Sequence, residues 1–566
     1  MNSLVIAAGA AVLYVIAYLT YGRFLGRKIF KLTKDNVCPS TELRDDHDFV
    51  PTNRHVLFGH HFASIAGTGP IVGPAVAIIW GWLPALLWVL LGSIFMGAVH
   101  DLGSLVVSLR NQGRSIGDIA GDLINSRVKT LFLLIIFFLL LLVVAVFGVV
   151  IGLCFKIYPQ SVIPVWSQIP IAVALGYLVY KKNMNALVLG VVAVVLMYGS
   201  IVLGSFFPFE MPPLEVNGKV LLNPISIWII LLLIYVYIAS TLPVQTLLQP
   251  RDFINSWQLL VAMILLGLGV IVAHPQMAAP PLRTVADGPP MLPTIFVVIA
   301  CGALSGFHSL VSSGTSAKQC DHEHSALYVG YGSMLVEGML AVFVIIACGA
   351  GIALAGGGVE AYTSHYRSWA SASGGLGVKL GAFVSGATAM IDDVGVPASV
   401  ASTLMGVFIV SFAATSLDSA TRIQRYIVSE LAGIFKVPAL AKKHPATIFA
   451  VGTAALLAFF NGSGQGAMLL WPLFGCLNQL LGGLALLVVT IYLIHRKTPI
   501  VYTALPMAFM ILMTGWAMYY NVTGFYNKGS WLLFAISLII IVFEIWMIVE
   551  SIMIIKKAEF NKEAEK

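Results

Sequence analysis

Apolar runs of about 20 residues, the length a helix needs to cross a bilayer, recur along nearly the whole of this 566-residue chain. They fall near 2–22, 58–80, 83–108, 130–153, 167–180, 184–206, 225–248, 257–273, 293–312, 325–355, 395–420, 445–460, 467–494, 499–520 and 530–555, about fifteen in all. The run 167–180 is short, and 374–394 reads as a half-length helical piece ahead of its span. Only 10% of residues are charged, against about 25% in soluble domains, and 59% are hydrophobic. So much apolar surface has no place in one water-soluble core. The chain therefore reads as an all-α, polytopic membrane domain over 1–566 whose first partner is the lipid bilayer. The longest polar stretch, 23–54, is too short for a core of its own. The first run lacks the basic flank and small-residue cleavage site of a signal peptide and reads as a span.

The formal charge of +7 raises nucleic acid as a partner. Placement excludes it, because the basic residues cluster in short connections between spans. With the N-terminus outside, Arg23, Arg27, Lys28, Lys31, Arg110, Arg114, Lys181, Lys182, Arg251, Lys318, Arg422, Arg425, Lys442, Lys443, Arg496, Lys556 and Lys557 all fall on one face. That asymmetry marks the cytoplasmic side. The reading is a bacterial inner-membrane protein, N-terminus periplasmic and C-terminus cytoplasmic. The cysteines (Cys38, Cys154, Cys301, Cys320, Cys348, Cys476) are scattered without a Cys-x-x-Cys pair, so neither a disulfide framework nor a zinc knuckle is expected.

Helix breakers inside a span are informative, since irregular backbone survives at membrane depth only where protein buries it or it lines a cavity. The second span contains Gly67, Thr68, Gly69, Pro70, Gly73 and Pro74, which predicts an unwound segment that holds substrate, or else a close helix contact. The seventh ends with Ser240, Thr241, Pro243 and Gln245, a second predicted break. Two breaks five spans apart, in helices running oppositely, suggest inverted repeats over spans 2–6 and 7–11, with spans 1 and 12–15 peripheral. The ninth span carries His308, Ser312, Ser313 and Thr315. Its hydroxyls suit a sodium ion or bond their own helix carbonyls, and His308 is a substrate contact or a packing residue.

An acid at membrane depth is a functional candidate by default. Glu337, midway along the tenth span, is the first candidate for an ion-coupling group. Asp392 and Asp393, at the break before the eleventh, are the second, because adjacent carboxylates in an apolar site would share a proton. Asp101 and Asp418 read as span-end ion pairs with Arg110 and Arg422, and Glu544 as a structural pairing. His60, His61 and the stretch 320–324 lack His-Glu-x-x-His spacing, and no metal or cofactor is expected. A phosphate loop is absent, which disfavours a pump. The glycines around Ser463 have the wrong offsets for a nucleophile elbow, which disfavours an intramembrane hydrolase.

Several strings resemble one family. Gly-His-His-Phe-Ala-Ser-Ile-Ala-Gly-Thr-Gly-Pro-Ile-Val-Gly-Pro (59–74) is similar to the N-terminal signature of carbon starvation protein A, CstA. So are His-Asp-Leu-Gly-Ser from 100, Leu-Pro-Val-Gln-Thr-Leu-Leu-Gln-Pro-Arg-Asp (242–252), Ser-Gly-Phe-His-Ser-Leu-Val-Ser-Ser-Gly-Thr-Ser-Ala-Lys-Gln (305–319) and Leu-Asp-Ser-Ala-Thr-Arg-Ile-Gln-Arg-Tyr (417–426). The resemblance covers roughly 1–495, leaving 496–566 as peripheral helices. It implies an inner-membrane transporter linked with peptide uptake in carbon starvation, with related members in proton-coupled pyruvate uptake; the favoured reading is secondary transport of a peptide or pyruvate coupled to protons or sodium. The resemblance also implies the amino acid–polyamine–organocation superfamily with its leucine-transporter-type 5+5 inverted repeat. A sensor of nutrient state and an intramembrane enzyme are the rival readings. No map of site residues comes with the resemblance, so the candidates above rest on breaks and depth.

Overall fold

A backbone shielded from water must pair its own N–H and C=O groups, and a helix does so within one segment. The computed structural model describes the backbone of residues 1–564 and the side chains of residues 1–553. Lys556 and Lys557, counted above toward the inner face, lie outside the described side chains.

Twelve helices among the described residues are long and apolar enough to cross a membrane. The pair Arg54–Ile65 and Gly69–Trp80 is apolar enough only when taken together, and is bent by 47° at the break expected there, as a broken span or a re-entrant loop is. Two expected spans differ in kind. The 293–312 run is two short helices, Met291–Val298 and Gly306–Gly314, joined by irregular chain. The 445–460 run is the 17-residue helix Lys443–Phe459, shorter than the twelve. The short run at 167–180 gains an upstream turn and becomes Pro159–Tyr180. Asparagines start several helices: Oδ1 of Asn125, Asn185 and Asn223 each accepts an N–H that the following helix cannot satisfy internally.

The second predicted break is not inside a span. Helix Pro224–Thr241 ends where Leu242 turns extended, as a residue before proline prefers, and Leu248–Ala273 begins after the turn. Pro243 therefore stops a helix, and pairing spans 2 and 7 as broken helices loses its basis. The second broken segment is 291–314 instead.

Burial sorts the bundle. In the apolar stretches of Gly466–His495, Ala398–Ile434 and Leu327–Leu354, 94%, 89% and 89% of residues are buried, against 33% in Ser3–Ile29 and 22% in Trp531–Met553. The first helix and the last are peripheral as expected. Gly466–His495, expected among the peripheral spans, is the most central. Ala398–Ile434 runs 37 residues, so Arg422 and Arg425 sit inside a helix rather than in a connection. The helices Trp82–Leu109 and Leu327–Leu354 carry π-helical turns at Ser93–Gly97 and Leu327–Gly332, a local widening often found at functional sites. One exposed hairpin, Leu214–Val216 with Lys219–Leu222, turns through Asn217 and Gly218, both at positive φ.

The tightest helix contacts lack side chains. A Cβ on Gly386, in helix Leu376–Asp392, would lie 2.0 Å from the Ala347 carbonyl oxygen. Gly386→Ala must push two backbones apart, and such overpacking costs about 1–3 kcal/mol. Gly381→Ala in the same helix meets nothing within 4 Å and should be neutral or slightly stabilising. Thermal unfolding of the two purified variants in detergent checks the contrast, and equal melting temperatures would refute it.

Candidate functional site

The two broken segments touch at their breaks. At Ala66 the backbone leaves helical geometry (φ −76°, ψ 55°), and the chain re-enters a helix at Gly69. A Cβ on Gly69 would fall 2.3 Å from Cys301 Sγ, and one on Gly73 2.4 Å from the Val298 oxygen. Gly67 faces Ser416 Oγ of Ala398–Ile434 at 2.6 Å by the same measure. These three glycines leave room for neighbouring chain. Thr68 is buried between them, and its carbonyl accepts the Val72 N–H at 2.9 Å.

A chain of buried ionisable groups runs beside this crossing. Asp101 Oδ1 lies 2.8 Å from His100 Nδ1, and its Oδ2 lies 3.0 Å from His308 Nδ1. On its other side, His308 Nε2 lies 3.4 Å from Glu337 Oε2. All four side chains are fully buried. One ring nitrogen of His308 is thus turned to each carboxylate, Nδ1 to Asp101 and Nε2 to Glu337. Neither Glu337 oxygen has a hydrogen-bond partner among the described residues, nor does His308 Nε2. Cys301, His308 and Glu337 each offer a donor atom, all within 4.8 Å of one another, so the cluster has the dimensions to meet a small cation.

Two span-end pairings expected from sequence proximity are corrected. Asp101 faces imidazoles, while Arg110 pairs with Glu323 at 2.5 Å. Asp418 pairs with Arg251 and the Tyr235 hydroxyl, while Arg422 reaches Asp48 at 2.6 Å. Sequence reasoning weighed His60 only as a metal ligand and missed its partner: Nδ1 lies 2.7 Å from Asp252 Oδ2. Ser64, one helical turn on, bonds the same carboxylate at 3.3 Å and Ser419 Oγ at 2.9 Å. The His60–Ser64 spacing of four in an otherwise apolar span was the available signal.

The remaining candidates scatter. Ser313 and Thr315 donate to their own helix carbonyls, Ser309 and Val311. Ser312 points at the Asp101 carbonyl at 3.4 Å. Ser240 is buried without a hydrogen-bond partner, and Thr241 bonds the Tyr237 carbonyl. Gln245 bonds the Asp46 carbonyl in the 31–53 loop, away from the crossing. Asp392 and Asp393 are exposed at a helix end, so the dry carboxylate pair expected there is absent. His322 and His324 are exposed and join no group of three metal-ligating side chains among the described residues. At the start of Gly306–Gly314, Asn478 Oδ1 accepts the Phe307 N–H at 2.9 Å and fills that helix end.

The sequence matches the family model for carbon starvation protein CstA over residues 2–357 and 358–517. This chain belongs to the CstA family. The peptide transporter CstA of Campylobacter jejuni is 30% identical, over 91% of this chain and 79% of its own. The peptide transporter CstA of Bacillus subtilis is also 30% identical, over 93% and 92%. The pyruvate/proton symporter BtsT of Escherichia coli shares 30% over 92% and 81%. Among solved structures, a manganese transporter of Eremococcus coleocola aligns with 90% of this chain at 12% identity and a TM-score of 0.41. The family, the apolar helices and the relatives together make the chain a multi-pass membrane transporter.

Outside the membrane helices, Asp48 clamps the 31–53 loop to Arg422 and Arg425, at 2.6 and 3.4 Å. Burial alone would raise its carboxyl; the two guanidiniums, helped by the Tyr426 hydroxyl and Lys318, hold it well below the usual carboxylate range. A depressed native value stabilises the fold above the unfolded value of about 3.9, and that stability is lost as pH falls below it. Asp48→Asn should therefore lower stability at pH 7 by on the order of 3 kcal/mol. The gap from wild type should narrow below about pH 4. Melting curves across pH test this, and a constant gap would refute it.

Proposed function

We propose that this chain takes up a small carboxylate-bearing nutrient, a peptide or pyruvate, by proton-coupled secondary transport across the bacterial inner membrane. Its N-terminus is periplasmic and its C-terminus cytoplasmic. The observation that carries the reading is the His308 imidazole, set between Asp101 and Glu337 where the two broken segments cross. Three features support it: the burial of the whole chain of groups, the unpartnered Glu337 oxygens, and relatives named as peptide transporters and as a pyruvate/proton symporter.

Asp101 orients the ring so that one nitrogen always faces Glu337. A proton held between Nε2 and the carboxylate compensates a charge that no other side chain pairs in a fully buried site, where an uncompensated carboxylate costs several kcal/mol. Moving the two broken segments apart would separate His308 from the 54–80 side and expose the proton to one aqueous face at a time. Gly67, Thr68, Gly69, Pro70 and Gly73 then form the substrate side of the crossing, with Ser312 beside Asp101. The coupling ion is a proton in this reading because an imidazole–carboxylate relay carries it without further ligands. A sodium ion at Ser312, Ser313 and Thr315 is the variant that a gradient comparison excludes. The inverted repeat of the superfamily rests in this reading on the family resemblance, since the break at 291–314 does not stand five spans after the first.

Purified protein in liposomes tests the reading. Labelled pyruvate and labelled dipeptides should each be offered under an imposed proton gradient and then under a sodium gradient. We expect accumulation of one substrate under the proton gradient alone. Glu337→Gln should cut that accumulation at least tenfold while leaving substrate exchange near the wild-type rate. Wild-type accumulation by the variant across a pH series would remove Glu337 from coupling. Thr68→Val should weaken substrate binding, and unchanged affinity would make the break purely structural.

A further inference from the structure

Two of the six cysteines stand apart from the others. Cys38, in the 31–53 loop, is 3% exposed, and Cys320, just after the turn Ser316–Lys318, is fully buried. Their side chains are near enough to interact across the seam between the two loops, and both thiols are free. The Cys320 thiol also donates to the His322 carbonyl at 3.1 Å. The two loops that carry them are already sewn together. Val50 N–H meets the Lys318 carbonyl at 3.2 Å and Thr52 N–H the Gln319 carbonyl at 3.0 Å. Ser40 Oγ reaches the Cys320 carbonyl at 2.6 Å, and Asn36 Nδ2 reaches Glu323 at 2.5 Å. Cys38 also forms part of the wall of a cavity of about 520 Å3, alongside Asn36, Arg110 and Glu323. The cavity brings a small polar oxidant to Cys38, while the fully buried Cys320 is not part of its wall.

We infer that Cys38 and Cys320 are a redox modification site, at which a peroxide closes a disulfide that locks the 31–53 loop onto residues 316–323. Cys38 is the attacking sulfur and Cys320 the resolving one. The Cys320 thiol beside it holds the Cys38 thiol below its ordinary value, against the opposing pull of burial, and this favours the thiolate that reacts. The Cys38 thiolate attacks one peroxide oxygen, the O–O bond breaks, and the departing hydroxide takes up a proton to leave as water. The sulfenic acid so formed is attacked by the Cys320 sulfur, whose proton leaves with the hydroxyl as a second water. Two thiols are oxidised by two electrons in total, and one peroxide is reduced to two waters.

The lock has a mechanical consequence. Residues 31–53 also hold Arg422 through Asp48, Gln249 through Thr52, and the turn after Thr241 through His47. A covalent tie at Cys38 therefore restrains two helices and one interhelical turn where the loop meets them.

The test uses the full-length protein in detergent, treated with hydrogen peroxide, unfolded in N-ethylmaleimide and digested for mass spectrometry without reductant. We expect one cross-linked peptide joining residues 38 and 320, 2 Da lighter than its parts, lost on adding dithiothreitol and absent from Cys38→Ser and Cys320→Ser. The other four cysteines should appear alkylated. Both thiols alkylated after a dose that oxidises free cysteine, or Cys38 driven to sulfinic acid without a cross-link, would overturn the site. This readout needs no variant to fold and no transport assay. For the lock, trypsin cleavage after the exposed Arg44 should slow at least tenfold on oxidation and recover with dithiothreitol. Unchanged cleavage of cross-linked protein would overturn the lock.

Discussion

Everything here depends on the rule that a peptide group inside a bilayer cannot be left unpaired. Twelve helices among the described residues obey it simply. Two segments, 54–80 and 291–314, leave the helical path, and the rest of the core is arranged to cover them. Trp88 Nε1 donates to the freed Ile299 carbonyl, Asn478 takes the Phe307 N–H, and Gln479 donates to the Phe296 carbonyl. Two of these three partners come from Gly466–His495, which explains why that helix is central. Irregular chain at depth demands polar side chains from neighbours, and those neighbours must then be buried too.

The same rule decides where ionisable groups can stand. The four groups from His100 to Glu337 make one line of contacts, and the second set, around His60, Asp252, Arg251 and Asp418, makes another. Each set ties a broken segment to unbroken helices. Asp252 receives His60 and Ser64 from Arg54–Ile65, and Arg251 beside it holds Asp418 on Ala398–Ile434. Breaking either set would leave charges stranded in a medium that cannot solvate them.

What could be read from the sequence follows from how local the signal was. The break at 66–68 was legible because Gly and Pro act on their own residue's backbone, and Glu337 because one acid in an apolar run is conspicuous. Span positions were legible for the same reason. The partners of Asp101 and Asp418 were not. His308 lies 207 positions from Asp101 and Arg251 lies 167 from Asp418, whereas Arg110 and Arg422 were close in sequence and drew the assignment. Pro243 misled in a different way: a proline at a helix end and one inside a span look alike until the following helix is placed. Asp392 and Asp393 looked buried because the flanking residues are apolar, but a turn carries them out.

The glycine contacts around Leu376–Asp392 bear on how the bundle can move. Gly386 lies on the Ala347 carbonyl, Gly351 on the Gly386 carbonyl, and Gly269 on the Met390 carbonyl. Where main chain rests on main chain, no rotamer can adjust to let the surfaces slide. The three helices that contribute these contacts therefore favour moving together, and rearrangement is easier along the seams where hydroxyls and ion pairs meet, because there partners can be exchanged one at a time.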